Sequence, residues 1–460
     1  MGFSLKKVFN TELAPTDDMS FKQASIQLLS LALPIMGSSF LQLAYNTADI
    51  FWVGKLGAQE VAAVGTAGFY MRLAWALTTI ISIGAGIKFS QSIGAKDFSK
   101  ARQILKTGWS GIMGLILIIC SVTWFFNADL IAFYDLADLR VIAMSENYLF
   151  LISFGFLFSF QNFFFTVIFN SYGKSKLSLK ANSIGIIINI VLDPILIFYF
   201  DMGVAGAAYA TIFSQMVTSL YYYKLIKSDP LISPKNMGFS NTILKDILKI
   251  SSPIAAQRIL FTVIAIIMGK IVARWGVEGI AAQRIGFQVE SLSFLMVMGI
   301  HQSVSTFTGN SFGAKQFKAI LNGYRAGLSL GLAYSFIITI VLLVFPESLI
   351  RIFVDDPATV EAGRYYLIII GISALFSCLE MVTAGVFNGL GKTKFPAFNS
   401  IILTSLRIPL ALWLSSTSLE LNGVWLSISI SSILKGIVLV TIYQLYLKKY
   451  ILNLFENQKL

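Results

Sequence analysis

Charge is what this chain is short of. Only 13% of its 460 residues are Asp, Glu, Lys or Arg, against about 25% in soluble domains. Histidine is scarcer still. His301 stands alone, which excludes a multi-histidine metal site and leaves a Ser/His/Asp triad a single candidate base, inside an apolar run. The two cysteines, Cys120 and Cys378, both lie inside apolar runs, so neither a disulfide nor a cysteine metal cluster is expected. With no nucleophile or metal cluster in view, an enzyme is not expected, and no cofactor is implied.

What is plentiful is apolar. Hydrophobic residues make up 56% of the chain, aromatics 13%, and the mean hydropathy is +0.75. Runs of about 20 apolar residues recur along the whole length, each long enough to cross a bilayer. The composition therefore predicts an all-α integral membrane protein. The net charge of +12 is read as cytoplasmic loop charge, not as a nucleic-acid surface. No cleavable signal peptide is expected, because Lys6 and Lys7 stand well ahead of the first span and that span is too long for a signal h-region.

The second half of the chain repeats the first. Ser92-Ile-Gly94-Ala95-Lys96 matches Ser311-Phe-Gly313-Ala314-Lys315, Phe169-Asn170-Ser-Tyr-Gly173-Lys174 matches Phe387-Asn388-Gly-Leu-Gly391-Lys392, and Pro34 matches Pro253. All share an offset of roughly 220 residues, the mark of internal duplication. The expected architecture is about twelve transmembrane helices in two six-helix lobes related by pseudo-two-fold symmetry, since an even number of spans per half gives parallel repeats. The expected divisions are a cytoplasmic segment at 1–22, an N-terminal lobe at 23–226, a linker at 227–247, a C-terminal lobe at 248–448 and a cytoplasmic tail at 449–460. Lysines such as Lys96, Lys100, Lys174, Lys176, Lys315 and Lys392 fall on alternate loops, which places both termini in the cytoplasm.

Against this apolar background, polar residues stand out. In the fifth run, Asn189-Ile-Val-Leu-Asp193-Pro194 sets a carboxamide and a carboxylate four residues apart, on one helix face. Pro194 has no N–H and so frees the carbonyl of Ile190 on that face. A carboxylate at a bilayer centre costs about 2.5–3.5 kcal/mol on insertion scales, so its presence points to use. In the first run, Gln42, Tyr45, Asn46 and Asp49 recur every three or four residues as one polar stripe. Two acids in one half with no basic neighbour in sequence suit a proton or a sodium ion. The plainer reading of the stripe is a structural hydrogen-bond strip between helices. Thr211, among the small residues that open the sixth run, offers a hydroxyl to the same place, although intramembrane threonines mostly bond their own backbone. Pro34 permits a kink in the first run, and Pro34 and Pro194 are the expected hinges. The second half has no Asp-Pro element: the corresponding place reads Leu406-Arg407-Ile408-Pro409. Its intramembrane acids, Glu290 and Glu380, have Arg258, Lys270, Arg284 and Arg407 as candidate partners, and are either structural ion-pair members or substrate-facing carboxylates.

Gly173-Lys174-Ser175 and Gly391-Lys392-Thr393 end like phosphate-binding loops, but Ile168 and Val386 occupy the places of the first glycine. No ATP site is found, so any pumping must draw on an ion gradient.

Taken together, Pro34, Asn46-Thr-Ala-Asp49-Ile-Phe-Trp-Val-Gly54-Lys-Leu-Gly57, Asn189-Ile-Val-Leu-Asp193-Pro194 and the paired Gly-Ala-Lys and Gly-Lys loops resemble the multidrug and toxic compound extrusion (MATE) family, in its DinF-like branch, over about residues 25–445. The resemblance implies a cation-coupled (H⁺ or Na⁺) multidrug antiporter that exports amphipathic, often cationic compounds by alternating access. It implies a monomer in the cell (inner) membrane whose partners are small-molecule drugs or toxins and the lipid bilayer. It implies a cation site at Asp49, Asn189, Asp193 and Thr211, with Tyr148, Gln42 and Asn46 near it. The NorM-like branch uses an acid in the seventh span, and Pro253-Ile-Ala-Ala-Gln257-Arg258 offers none. Glu290 matches an acid often found in the eighth span of such sequences. A lipid-linked precursor flippase of the same superfamily is the alternative, and Arg258, Arg284 and Arg407 speak for it.

Overall fold

The structure is a computed structural model that describes residues 15–233 and 237–459. Lys6, Lys7, Pro234 and Lys235 therefore lie outside the described residues, as do parts of the expected N-terminal segment and linker.

Helices account for nearly everything, and no strand occurs among the described residues. In order they are α1 (Phe21–Gly54), α2 (Ala58–Gly94), α3 (Phe98–Phe125), the short α4 (Asn127–Ala132), α5 (Leu139–Ser171), α6 (Ser175–Pro194) and α7 (Gly203–Ser228). There follow α8 (Asn241–Val272), α9 (Gly276–Gly313), α10 (Phe317–Val344), the short α11 (Pro346–Arg351), α12 (Pro357–Gly389), α13 (Lys394–Ser405), α14 (Arg407–Ser415), α15 (Glu420–Ile442) and α16 (Lys448–Lys459). Ten stretches of the described residues are long and apolar enough to cross a membrane, one of which contains both α8 and α9. The chain is thus an all-α, multi-pass membrane protein. α7 is not among the ten; it is rich in Gly, Ala, Ser, Thr and Tyr and ends with two lysines.

The duplication is written into the backbone. Left-handed residues recur in register: Gly57 with Gly276, Lys96 with Lys315, Gly173 with Gly391, and Asp201 with Glu420. Gly173 and Gly391 end α5 and α12 at φ 83° and 73°. The next amide reaches back in each case, Lys174 N–H to the Phe169 carbonyl at 2.9 Å and Lys392 N–H to the Phe387 carbonyl at 2.8 Å. These are Schellman caps, which favour glycine. The Gly-Lys motifs therefore stop helices. The helix starts repeat too, with Asp138 accepting from the amides of Arg140 and Val141 ahead of α5, and Asp356 from Thr359 ahead of α12.

Packing divides the chain into two compact units: an N unit, Leu33–Ser251, and a C unit made of the described residues up to Ala32 with those from Ser252 onward. Both divisions fall inside a helix and one or two residues before a proline, Pro34 in α1 and Pro253 in α8. The early residues are tied into the C unit by hydrogen bonds from Asn322 Nδ2 to the Met19 carbonyl (2.9 Å) and from Lys318 N–H to Asp17 Oδ1 (2.8 Å). The N unit core is aromatic, built on Phe89, Phe160, Phe164, Phe169 and Tyr222. The C unit core includes Trp425, Tyr366, Leu367 and Ile350.

Candidate cation site

The site is built where α6 loses its regular pattern. Pro194 ends the α-helical part, and Ile195–Tyr199 continue as a π-helical turn, a distortion that concentrates at functional positions. α7 packs directly on that turn. A Cβ at Gly206 would lie 2.7 Å from the Leu196 carbonyl carbon and 2.9 Å from the Ile197 nitrogen, so only glycine permits the approach. The approach brings Thr211 of α7 to Asn189 and Asp193 of α6.

Asn189 and Asp193 are fully buried, and Thr211 nearly so. Asn189 Nδ2 donates to Asp193 Oδ1 at 3.2 Å and, more loosely, to Thr211 Oγ1 at 3.5 Å. The Tyr45 hydroxyl lies 3.2 Å from Thr211 Oγ1, which ties α1 to the same pocket. Asp49 lies one helical turn beyond Tyr45 on α1, and Tyr148 of α5 is buried. Asn189, Asp193 and Thr211 thus form one hydrogen-bonded cluster in the N unit, joined by Tyr45 and with Asp49 one turn from that tyrosine.

Oxygen atoms there lack partners. Asp49 Oδ1, Asn189 Oδ1 and Asp193 Oδ2 are buried and accept no hydrogen bond among the described residues. Leaving such a group unpaired costs about 1–3 kcal/mol, and more for a charged one. Two carboxylates, a carboxamide oxygen and a hydroxyl, with no cation in contact, are the donor set of a hard cation or of a proton shared between acids. Gln42 and Asn46 do not join the cluster. They are exposed and pair with each other at 3.3 Å.

The C unit places different chemistry in the matching positions. Arg407 occupies the place of Asn189. Its guanidinium donates to Ser431 Oγ (2.6 Å) and Ser432 Oγ (3.1 Å) and lies over the Phe261 ring at 5.8 Å. Glu380 is paired with Lys435 at 3.0 Å, both largely buried. None of the cations expected from sequence, Arg258, Lys270, Arg284 or Arg407, makes a contact ion pair among the described residues. Glu290 instead accepts from the Tyr366 hydroxyl at 2.9 Å. Lys435 went unnoticed, although a lysine in the middle of the apolar α15 is itself a signal.

The MatE family model matches residues 34–195 and again 253–413, starting each time at the repeated proline. A "Probable multidrug resistance protein NorM" of Thermotoga maritima is 27% identical over 415 residues, covering 87% of this chain and 88% of that protein. The "Multidrug export protein MepA" of Staphylococcus aureus is 24% identical over 428 residues, 91% of this chain and 93% of that one. Among solved structures, a "MATE in the bent conformation" superposes with a TM-score of 0.87 at 22% identity, over 96% of this chain and all of that one. That likeness shows the fold alone. Two matched repeats covering most of the chain, on a duplicated all-α membrane fold, settle the family: this chain belongs to the MatE family of transporters.

Proposed function

We propose that the chain is a cation-coupled multidrug exporter, which takes up H⁺ or Na⁺ at Asp49, Asn189, Asp193 and Thr211 and expels amphipathic, often cationic compounds in exchange. One observation carries the reading: Asp49, Asp193 and the Asn189 carboxamide each present a buried oxygen with no hydrogen-bond partner, and neither acid makes a contact ion pair among the described residues. A site of that kind gains most from a cation that arrives and leaves. The names of the NorM and MepA relatives support drug export as the task. Exchange requires that ion and drug differ in affinity for two arrangements of the protein, and Pro34 in α1, a little over two turns before Gln42, is the proposed bend. The protein works as a monomer in the cell membrane with both termini cytoplasmic.

Dye uptake into inverted vesicles, the direction of export in that orientation, under a pH gradient and a sodium gradient imposed separately, tests this on wild type and Asp193→Asn. The reading requires one gradient to drive wild-type uptake and the variant to be silent while present in the membrane at wild-type level. Wild-type uptake that survives in Asp193→Asn overturns it.

A further inference from the structure

The Asp193 pocket does not end at Thr211. Below it, α5, α6 and α7 turn polar side chains toward one another in a seam. Asn162 Nδ2 donates to the Gln215 carbonyl (2.8 Å) and to Gln215 Oε1 (2.9 Å), and Ser219 Oγ donates to Asn162 Oδ1 at 2.8 Å. Gln161 Nε2 reaches Ser219 Oγ at 2.5 Å. One turn further, the Tyr222 hydroxyl lies 2.9 Å from Thr166 Oγ1 and 3.3 Å from Asn182 Oδ1. The seam ends at Ser178, whose hydroxyl donates to Asn170 Oδ1 at 2.5 Å, beside the lysine-bearing Gly173–Lys174 turn. From Thr211 to Tyr222 is about 16 Å along α7. Asn162, Ser219 and Tyr222 are all buried.

Interhelical hydrogen bonds commonly glue membrane helices, yet the fold does not need this seam. In the duplicated C unit, Glu380 stands in the place of Asn162, and Lys435 in that of Thr218 when Gly206 and Gly423 set the register. The two are joined as a fixed ion pair. The places of Thr166, Ser178 and Tyr222 hold Ala384, Pro396 and Leu439. There the same helices are joined by that ion pair and by Asn399 Nδ2 donating to the Lys435 carbonyl at 3.1 Å, not by a chain of neutral side chains.

We propose that the seam is the cytoplasmic access path of the N unit, along which the coupled cation passes between the Asp193 pocket and the cytoplasm. This rests on the exporter reading above. Hydroxyl and carboxamide oxygens replace hydration around a sodium ion, or hold the waters that carry a proton, since carboxamides themselves relay protons poorly. The path is shut in this conformation: a Cβ on Gly185 of α6 would fall 2.1 Å from Thr218 Oγ1 of α7. Opening therefore parts α6 from α7 at Gly185.

Water access is the property a purely structural seam lacks. Thr218→Cys and Ser219→Cys, each in the full-length Cys120→Ala/Cys378→Ala background, are placed in inverted vesicles with a water-soluble methanethiosulfonate reagent, whose sulfur is attacked by an ionised, hydrated thiol with loss of methanesulfinate. Reaction should be about 10-fold faster in vesicles cycling with dye under the driving gradient than at rest. The gradient that produces the acceleration, pH or sodium, identifies the cation. Absence of reaction at both positions in vesicles that do export dye overturns the path and leaves the exporter reading intact. A parallel pair, Asn162→Leu and Asn162→Gln, guards against cysteine variants that fail to fold. The leucine variant should export at least about 10-fold more slowly with unchanged dye affinity, and the glutamine variant should recover most of the rate. Equal rates for Asn162→Leu and wild type also overturn it. If wild type exports under neither gradient, the exporter reading falls first.

Discussion

Where the N unit has Asn189 beside two unpaired acids, the C unit has Arg407 clamped by Ser431 and Ser432. Where the N unit has Asn162 bonded to Gln215 and Ser219, the C unit has Glu380 bound to Lys435. The two units share caps, turns and the glycine that seats the sixth helix of each repeat on the fifth, so the contrast lies in the buried polar and charged side chains. Duplication kept the frame and changed the counter-ions. The C unit carries its cations covalently, and they cannot leave. Asp49 and Asp193 of the N unit make no contact ion pair among the described residues, and on the proposed reading their cation comes from solution. A buried ion pair adds little net stability over an apolar pair, so the C unit arrangement is best understood as silencing an acid that the fold would otherwise leave hungry.

The largest effect should come from removing the mobile charge. Asp193→Asn should bring gradient-driven dye transport down to the level of vesicles without the protein. Asp193→Glu should retain partial activity, because the carboxylate survives in displaced form.

Next comes the fixed charge. Lys435→Met leaves Glu380 buried and unpaired, which should cost about 3–5 kcal/mol and appear as a large drop in the midpoint of a thermal-shift assay. Adding Glu380→Gln should recover most of it. An intact melting temperature in the single variant would remove the distinction between a fixed and a mobile counter-ion.

A smaller and symmetric effect should follow at the shared frame. Gly206→Ala meets the Leu196–Ile197 backbone, and Gly423→Ala meets Leu414 and Ser415 at 2.5 to 2.8 Å. Each should destabilise by about 1–3 kcal/mol through overpacking. The Gly206 variant should also impair efflux, since that contact positions Thr211, and the Gly423 variant should impair it less. Equal losses of transport would mean that both units take part in coupling.

The smallest is a pH effect at a cap. The Thr359 amide, and then its hydroxyl, hold the Asp356 carboxyl below the usual carboxylate range. A folded-state value below the unfolded one stabilises at neutral pH, and the benefit is lost as pH falls through the carboxylate range. Asp356→Ala should lower the melting temperature slightly at pH 7, with the difference closing on acidification.

Much of this was legible in the sequence, for identifiable reasons. The spans show because every residue facing lipid must be apolar, and the duplication shows because left-handed turns demand particular residues at fixed spacing. The four site residues stood out because acids and amides are rare in such helices. What stayed hidden was pairing. Nothing local links Glu380 to Lys435, 55 positions later, and the proximity of Arg407 in sequence to the equivalent of Asp193 drew attention away from it. The seam was hidden for a related reason. Its Ser, Thr, Asn and Gln residues are ordinary in membrane helices one at a time, and only the three-helix arrangement lines them up. The π-helical turn after Pro194 likewise follows from packing on Gly206, which no single-helix pattern announces.

The division of α1 and α8 ahead of their prolines has a consequence for the chain as a piece of covalent material. The described residues up to Ala32 are packed with the half that follows them by more than 200 positions, and residues 241–251 with the half that precedes them. A cut in the loop between α7 and α8 would therefore not release two self-sufficient modules. Each fragment would carry a half-helix that belongs to the other and would lack one of its own. The halves, expressed separately, should be recovered only when made together, each completing the other by exchange of its first half-helix.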